Sequence, residues 1–426
     1  MYIKNIKVLS VVLFIGVIFS QSYFNRILGD DIYPISGRAY GMAKTAMMSD
    51  NSSALGLSNP AGLLKLNGFN IDVSTNIMRV KERRSIPVQD FFGDYLVDAN
   101  YVTNGNYFNY NRIGVSYSNL SILPISLAIS QGQYLTSDYL FNEEVRDRGS
   151  SFYKDPLVGY HKFETSGTLN LLTCSMATSF TNLFSIGFSQ NVILPTTFTA
   201  IRDTVILETS DFIASEQEFS FNSETNNTYF AVLSSEIKLG NESRLALAYE
   251  QSATVEYEDS LVILQNDTFG LPQFAVDTVH VNNSLVKPEK YRIGWSFSPS
   301  QKINTTFVLE YEKVKYSSVA IDSLELIDTD TYKIGFEYMV NNKFPIRAGL
   351  IHKTSPYRKD LTESIFTFGF GKSIGKISYD IGGEYGSLSY SYFDIFQPEN
   401  DPSNPSGIEK VMESHFNILL SVKYKF

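Results

Sequence analysis

Few residues in this 426-residue chain have the type and spacing that enzyme chemistry requires. Histidine is a common general base and metal ligand. The four histidines, however, are scattered without the spacing of a metal site: His161, His280, His352 and His415. No serine is marked by its neighbours as a nucleophile that could pair with one of them. The histidines are therefore interpreted as side chains in contact with water, and we expect neither an enzyme nor a metal site.

Two further features fail as signs of a site. The segment Gly371-Lys372-Ser373 is similar to the end of a phosphate-binding loop, but Phe366 stands where the first glycine is needed and the surrounding residues indicate a strand. Cys174 is the only cysteine, so it can form no disulfide within the chain and is interpreted as a small apolar strand residue. We predict no cofactor. The net charge of −10 also argues against nucleic acid as a partner, because phosphate binding needs basic patches.

The elements that would position any site are strands with two distinct faces. After Leu66, apolar residues recur with a period of two, as in the last strand at Phe416, Ile418, Leu420, Val422, Tyr424 and Phe426. The polar faces are rich in Gly, Ser, Lys and Glu, which suits a water-filled or plugged lumen. The apolar faces stay aromatic and aliphatic to the strand ends, as contact with lipid requires. Because every backbone amide in hydrocarbon must be paired, such strands must close into a barrel.

About 14 strands are predicted, an even number as in bacterial barrels. They fall near residues 69–80, 105–118, 124–136, 162–180, 183–199, 224–238, 244–257, 288–298, 302–316, 330–340, 345–354, 362–373, 376–390 and 414–426. Short connections with turn residues alternate with long loops, among them 81–104, 137–161, 200–223 and 258–287. This sorting is typical of outer-membrane barrels, whose short turns face the periplasm. The predicted fold is therefore all-β, a transmembrane antiparallel barrel in the bacterial outer membrane, with a soluble β protein as the alternative.

Residues 1–22 have the pattern of a secretion signal peptide. A positively charged start is followed by an apolar core, Val8–Phe19, and by small residues suitable for cleavage. This core of about 12 residues falls short of the ~20 that a membrane-spanning helix needs. The predicted organisation is a signal peptide at 1–22, an N-terminal plug segment at 23–68, and a transmembrane barrel with long extracellular loops at 69–426.

The segment from Gly37 to Leu66 differs from the strands that follow it. It is rich in Gly, Ala, Ser and Met. Small residues let a chain pack tightly inside a barrel, and methionine adapts to irregular apolar surfaces. Pro60 fixes a turn and biases Asn59 toward extended backbone. We predict that this segment lies in the lumen as a plug, either a movable gate or a static stopper.

An ordered set of residues within this segment precedes the first strand: Gly37, Ala39, Gly41, Met42, Ser53, Ala54, Leu55, Asn59, Pro60, Ala61 and Gly62. The set resembles the N-terminal region of the FadL-type (TodX-like) outer-membrane transport proteins, which ends in an Asn-Pro-Ala motif. The resemblance implies that the plug and gate residues are Gly37, Gly41, Met42, Asn59, Pro60, Ala61 and Gly62. It also implies a kink that opens the third strand, here 124–136, toward lipid, and Gly132 lies within that strand.

The resemblance implies passive diffusion of a hydrophobic small molecule, such as a long-chain fatty acid or hydrocarbon, across the outer membrane. The ligand would be captured by the outer loops, held in an apolar pocket above the plug, and released when Gly37–Leu66 shifts. The alternative is a barrel of the same fold that serves secretion or assembly and binds protein partners through its extracellular loops. A general porin would instead lack a plug.

Charged residues of both signs lie on the polar strand faces: Arg112, Glu250, Arg292, Glu310, Glu312, Lys333, Glu337, Arg347, Lys353, Asp380, Glu384 and Lys423. They could bind the head group of an amphipathic solute. The nearly balanced signs favour pairing across the lumen, since buried charges need partners and a pore for one ion would show one sign. The chain ends in Tyr424 and Phe426, which resembles the signal that the barrel-assembly machinery reads. We expect that machinery, outer-membrane lipid and lipopolysaccharide as further partners.

Overall fold

The computed structural model describes residues 29–118, 124–146, 157–206, 218–266, 272–299, 304–319, 325–341, 343–396 and 408–426. The predicted signal peptide at 1–22 lies outside these residues. The helices are short: α1 (Gly37–Gly41), α2 (Ala46–Ser49), α3 (Leu55–Ser58) and the 3-10 helices Pro60–Lys65 and Tyr316–Ser318. In the described part of the chain, no helix has the length and apolar character needed to cross a membrane.

The strands account for most of the described residues. They are β1 (Asp30–Asp31), β2 (Gly68–Gln89), β3 (Tyr95–Ser118), β4 (Ile125–Thr136), β5 (Tyr139–Arg146), β6 (Leu157–Ser166), β7 (Thr168–Ser179), β8 (Phe184–Leu194), β9 (Thr197–Ile206), β10 (Glu218–Thr225), β11 (Thr228–Leu239), β12 (Ser243–Glu250), β13 (Ala253–Asn266), β14 (Pro272–Lys287), β15 (Lys290–Phe297), β16 (Thr305–Val314), β17 (Thr329–Val340), β18 (Phe344–Thr354), β19 (Thr362–Ile374), β20 (Ile377–Phe393) and β21 (Ile408–Lys425).

A closed antiparallel barrel forms the wall of the molecule. Its strand order is β4-β3-β2-β21-β20-β19-β18-β17-β16-β15-β12-β11-β8-β7, and pairing of β4 with β7 completes the ring. The prediction of a 14-stranded antiparallel barrel is confirmed. Closure pairs β4 with β7, the two strands that would otherwise form the edges of the sheet. Open edges would place unpaired backbone groups in hydrocarbon, which contains no water to bind them.

The outer face of the wall is apolar. On β17, for example, Tyr332, Ile334, Phe336 and Tyr338 are exposed, whereas the alternate residue Glu337 is buried. Aromatic residues near both ends of the outward face, with aliphatic residues between them, match the girdles and apolar band of a membrane barrel. A closed ring with this skin is a transmembrane barrel of the kind found in the bacterial outer membrane.

Six wall strands continue beyond the barrel as a second sheet. Breaks of one or two residues separate β4, β7, β8, β11, β12 and β15 from β5, β6, β9, β10, β13 and β14. The second set pairs in the order β14-β13-β10-β9-β6-β5, which repeats the order of the wall strands. Gly167, Pro195 and Pro288, which interrupt strands, lie in the breaks.

The prediction that 137–161, 200–223 and 258–287 are loops is wrong for most of the residues in these ranges that the structure describes, because strands resume after each break; residues 147–156, 207–217 and 267–271 lie outside the described part. The prediction that 81–104 is a loop is also wrong for most of this range. There β2 continues to Gln89 and β3 begins at Tyr95, so the pair extends far above the membrane as a hairpin.

The segment from Gly37 to Leu66 lies inside the ring. Helix α1 contacts β18, β19, β20 and β21 on one side, and the 3-10 helix Pro60–Lys65 contacts β7, β8 and β11 on another. The methionines Met42, Met47 and Met48 pack with the wall residues Ala246, Ala248 and Val308. The segment therefore fills the lumen and is packed against the wall around most of its circumference.

Glycines on the inner face let the backbone of the segment approach the wall. A β-carbon built on Gly187 would lie 2.1 Å from the backbone nitrogen of Ala61, and one built on Gly349 would lie 2.4 Å from the backbone nitrogen of Ala43. Real β-carbons do not come within 3.0 Å of such atoms. These two wall positions therefore require glycine for as long as the segment stays in place.

Gly187→Val should push the Asn59–Gly62 turn away from the wall. We expect it to lower the free energy of unfolding in urea by about 1–3 kcal/mol, as overpacking does. Gly105→Val is the matched control, because a β-carbon at this strand position meets nothing within 4 Å. Equal unfolding free energies for the two variants would contradict the contact between Gly187 and the segment.

Candidate functional site

A cavity of about 310 Å³ lies in the lumen above the buried segment, and we call it the upper chamber. Its apolar lining includes Ile32, Tyr33, Ile35, Met47, Leu57, Met78, Val80, Ile351 and Ile365. Its charged lining includes Lys44, Arg292, Glu310, Glu312, Lys333, Lys353, Glu363, Glu384 and Glu413. The chamber is therefore amphipathic, and not the apolar pocket that was expected, because charged inner-face residues share its surface.

Ion pairs fasten the segment to the wall. Arg38 pairs with Glu337, Lys44 with Glu384 and Lys65 with Glu236, at nitrogen–oxygen distances of 2.7, 2.8 and 2.8 Å. Burial lowers the pKa of the Lys65 amine, and the neighbouring Glu236 opposes that shift. Burial also raises the pKa of the Asp50 carboxyl, which accepts hydrogen bonds from Ser36 and Ser52 of the segment itself.

Strands β3 and β4 of the wall separate along part of their length. The two strands pair only from Ser118 opposite Ser126 to Arg112 opposite Gly132, although β3 continues along β2 to Tyr95. Beyond Gly132, β4 pairs with β7 alone among the wall strands. Because β4 has 12 residues and a strand needs about 9–11 to cross a bilayer, this gap lies at membrane depth. Without a substitute for β3, the edge of β4 would carry unpaired backbone groups there.

The N-terminal strand β1 occupies this edge. Asp30 pairs with Thr136 and Asp31 pairs with Leu135, antiparallel to β4. The backbone nitrogen of Ile32 then donates to the carbonyl oxygen of Tyr134 at 3.0 Å. Inside the wall, Ile32 packs in a cluster with Met78, Val80, Phe108 and Tyr110. Strand addition by the chain's own N-terminal part thus takes the place of β3.

Amide side chains line the outer side of the gap. Asn109, Asn111 and Gln131 are exposed on the outward face and Gln133 is half-buried. The Oε1 atom of Gln133 accepts a hydrogen bond from the backbone nitrogen of Asn111 at 2.8 Å, which replaces a lost strand pairing. These amides interrupt the mainly apolar face that β3 and β4 turn toward the lipid. The sequence contained this signal of the gap, but our prediction did not use it.

Arg112 stands where β3 and β4 separate and joins the wall to the segment. Its side chain is fully buried, and Nη1 lies 2.6 Å from Oδ1 of Asp72. Nε donates to the carbonyl oxygen of Pro34 at 2.5 Å, and Nη1 donates to Oγ of Ser53 at 2.7 Å. A β-carbon on Gly132 would lie 2.8 Å from Cβ of Arg112, so the glycine makes room for this side chain.

The predicted plug residues lie against the wall and do not line the upper chamber. They are Gly37, Gly41, Met42, Asn59, Pro60, Ala61 and Gly62. The Nδ2 atom of Asn59 donates to Glu236 at 3.1 Å and to the carbonyl oxygen of Met47 at 3.0 Å. The backbone nitrogen of Ala61 donates to Oγ of Ser234 at 2.8 Å. These residues hold the segment, and other residues of it form the floor of the chamber.

The remaining sequence features are dispersed. His415 lies in the upper chamber 3.3 Å from Glu363, and His161 stacks on Phe396 above the barrel. Within the residues that the structure describes, no His, Cys, Asp and Glu side chains group as metal ligands. Tyr424 and Phe426 lie outside the wall with their ring centroids 4.7 Å apart.

Replacing Arg112 by methionine should leave Asp72 buried without its cation. We expect a loss of about 3–5 kcal/mol in the free energy of unfolding, the range for a broken buried pair, and faster proteolysis within residues 29–36. Adding Asp72→Asn should recover part of the loss, because both charges are then gone. Arg79→Met on the exposed outer face of β2 is the control. An Arg112 variant as stable as this control would refute the anchoring role.

No protein-family model and no curated protein sequence matches the chain. Solved structures match it over nearly their full length. A FadL homologue from Pseudomonas aeruginosa has a TM-score of 0.67 and 14% identity, with 93% of this chain and 100% of that chain covered. The toluene transporter TodX of P. putida has a TM-score of 0.59 and 13% identity, with coverages of 94% and 99%. The toluene transporter TbuX of Ralstonia pickettii has a TM-score of 0.54 and 14% identity, with coverages of 95% and 100%. The chain therefore has the fold of the FadL-type channels, as the resemblance implied.

Proposed function

We propose that the protein carries hydrophobic small molecules across the outer membrane by passive, facilitated diffusion. The observation that carries the proposal is the gap between β3 and β4, which β1 closes beside the upper chamber. An amphipathic chamber next to a removable piece of wall gives a molecule a path from the lumen into the lipid. The toluene transporters TodX and TbuX, which have this fold, support a hydrocarbon as the solute class.

The weakest closure along this path is β1. Its pairing with β4 covers two residues, with one further backbone hydrogen bond from Ile32 and one ion pair between Asp31 and Lys290, so its release would unpair only a few backbone groups of β4. Moving Gly37–Leu66 would instead break three ion pairs and remove a cation from each of three buried wall carboxylates, Glu337, Glu384 and Glu236. The sequence left open whether Gly37–Leu66 is a movable gate or a static stopper. We therefore assign the role of stopper to Gly37–Leu66 and the role of gate to β1.

The test is a disulfide that locks β1 to β4. Asp30→Cys and Thr136→Cys introduce cysteines at directly opposed positions, in a background with Cys174→Ser. In intact cells, whose lipopolysaccharide blocks free permeation, oxidation should reduce uptake of radiolabelled toluene to the rate of cells without the protein. Reduction with dithiothreitol should restore uptake, and an uncoupler should have no effect.

The matched control is the pair Leu309→Cys and Ile334→Cys, opposed in the intact wall between β16 and β17. Its oxidation should leave uptake unchanged. If the oxidised β1–β4 protein transports toluene as fast as the reduced protein, β1 is not the gate. If cells with wild-type protein take up no more toluene than cells without it, the transport proposal falls.

A second candidate, a barrel that binds protein partners through its outer surface, is favoured by the ordered outer sheet and by one hairpin tip. Phe91 and Phe92 at the tip of the β2–β3 hairpin are 97% and 85% exposed, and exposed aromatic groups often mark interaction sites. This function predicts no toluene uptake by the wild type and no effect of the β1–β4 disulfide.

A further inference from the structure

A second cavity, of about 400 Å³, lies below the buried segment at the end of the barrel that carries the short turns. We call it the lower vestibule. The underside of the segment forms its roof, and β2, β12, β15, β16 and β21 contribute to its wall. Because short turns face the periplasm in outer-membrane barrels, the vestibule opens on the periplasmic side.

The lower vestibule is cationic. It is lined by five Lys and Arg residues, Arg38, Lys65, Arg244, Lys423 and Lys425, against two carboxylates, Asp50 and Glu242. The upper chamber has the opposite balance, with seven carboxylates against four Lys and Arg residues. The chain as a whole has a net charge of −10. The vestibule therefore has an excess of positive side chains, whereas the upper chamber and the chain as a whole have an excess of negative ones.

Two of these cations are already engaged by wall carboxylates. Arg38 is held by Glu337 and Lys65 by Glu236, as described above. Arg244 lies 3.8 Å from the same Glu236, which leaves it weakly paired.

The two lysines of β21 have no such partner. Lys423 donates to the carbonyl oxygen of Asn51 at 3.0 Å. Among the described residues neither Lys423 nor Lys425 forms an ion pair within 4.0 Å, although Asp380, Asp72 and Asp50 attract Lys423 from a greater distance. Arg244, Lys423 and Lys425 therefore keep hydrogen-bonding and charge capacity for a ligand.

The other residues of the vestibule suit the rest of an amphipathic ligand. Ser296, Ser298 and Thr306 supply neutral hydroxyl donors, and Met48 and Leu66 supply apolar surface. The carboxylate of Asp50 accepts hydrogen bonds from Ser36 and Ser52 of the segment, and it also attracts Arg38 and Lys423.

We propose that the lower vestibule binds the anionic head group, a carboxylate or a phosphate ester, of an amphipathic molecule. Two sources of this chemistry can reach it. One is a solute in the periplasm, and the other is a phospholipid of the inner leaflet, since the aromatic residues Tyr424 and Phe426 at the same end of β21 mark the membrane interface. The site does not depend on transport, because it is defined by binding at equilibrium.

The test uses the full-length protein in nanodiscs of phosphatidylcholine. Isothermal titration calorimetry should detect decanoate and decyl phosphate, with affinity that falls as salt rises, and should find decanol and decyltrimethylammonium bound at least about tenfold more weakly. The triple variant Arg244→Gln, Lys423→Gln, Lys425→Gln should weaken decanoate binding by about tenfold or more. The charge-keeping variant Lys423→Arg should retain it.

The matched control is Lys343→Gln, Lys372→Gln, Lys376→Gln, which removes three exposed lysines at the same end of the barrel but outside the vestibule. Binding that falls equally in the control and in the vestibule triple variant would overturn the proposal, as would equal binding of decanol and decanoate by the wild type. Nanodiscs with added phosphatidylglycerol separate the two sources. Competition with decanoate in the wild type alone would support a lipid head group, and decanoate binding without competition would support a periplasmic solute.

Discussion

Hydrocarbon tolerates no unpaired backbone groups, and this constraint governs the part of the barrel where β4 leaves β3. Above Gly132 the edge of β4 lies at membrane depth without its wall partner. The chain meets the constraint with two devices, strand addition by Asp30–Asp31 to β4 and the hydrogen bond that the backbone nitrogen of Asn111 on β3 donates to Oε1 of Gln133. Both devices use residues that a continuous wall would not need. Arg112 of β3 in turn helps to hold β1 at that height, because its Nε atom donates to the carbonyl oxygen of Pro34, three residues beyond β1.

The proposed function divides the inner part of the chain into a fixed segment, Gly37–Leu66, and a short strand that is easily released, β1. Gly37–Leu66 is fixed by wall glycines, by methionine packing and by ion pairs that reach several sides of the wall. β1 is held by a few backbone hydrogen bonds and by one ion pair, between Asp31 and Lys290. Because of this difference, a solute in the upper chamber could leave through the wall without unplugging the barrel. Under the proposed function, the segment serves as a permanent partition between an acidic upper chamber and a basic lower vestibule.

The sequence was most informative where one rule of physics dominates. Alternation of apolar and polar residues predicted the wall strands near the C-terminus, because one face meets lipid along the whole strand. It did not predict the outer sheet: the predicted strands 162–180 and 183–199 ran through the breaks at Gly167 and Pro195, and most residues of the outer sheet were assigned to loops. The sequence indicated only part of the gap between β3 and β4. Gly132 was noticed, but a two-residue strand such as β1 carries no periodicity, and the choice of Arg112 among twelve lumen charges depends on three-dimensional neighbours.

Amide hydrogen exchange of the protein in nanodiscs, read by mass spectrometry, tests the central claim most directly. If β1 completes the wall, the peptide that covers residues 29–36 should exchange slowly in the resting protein. It should become faster on addition of toluene, while the peptide that covers Gly37–Leu66 remains protected. Rapid exchange of residues 29–36 in the resting protein, or exposure of Gly37–Leu66 by toluene, would contradict the account.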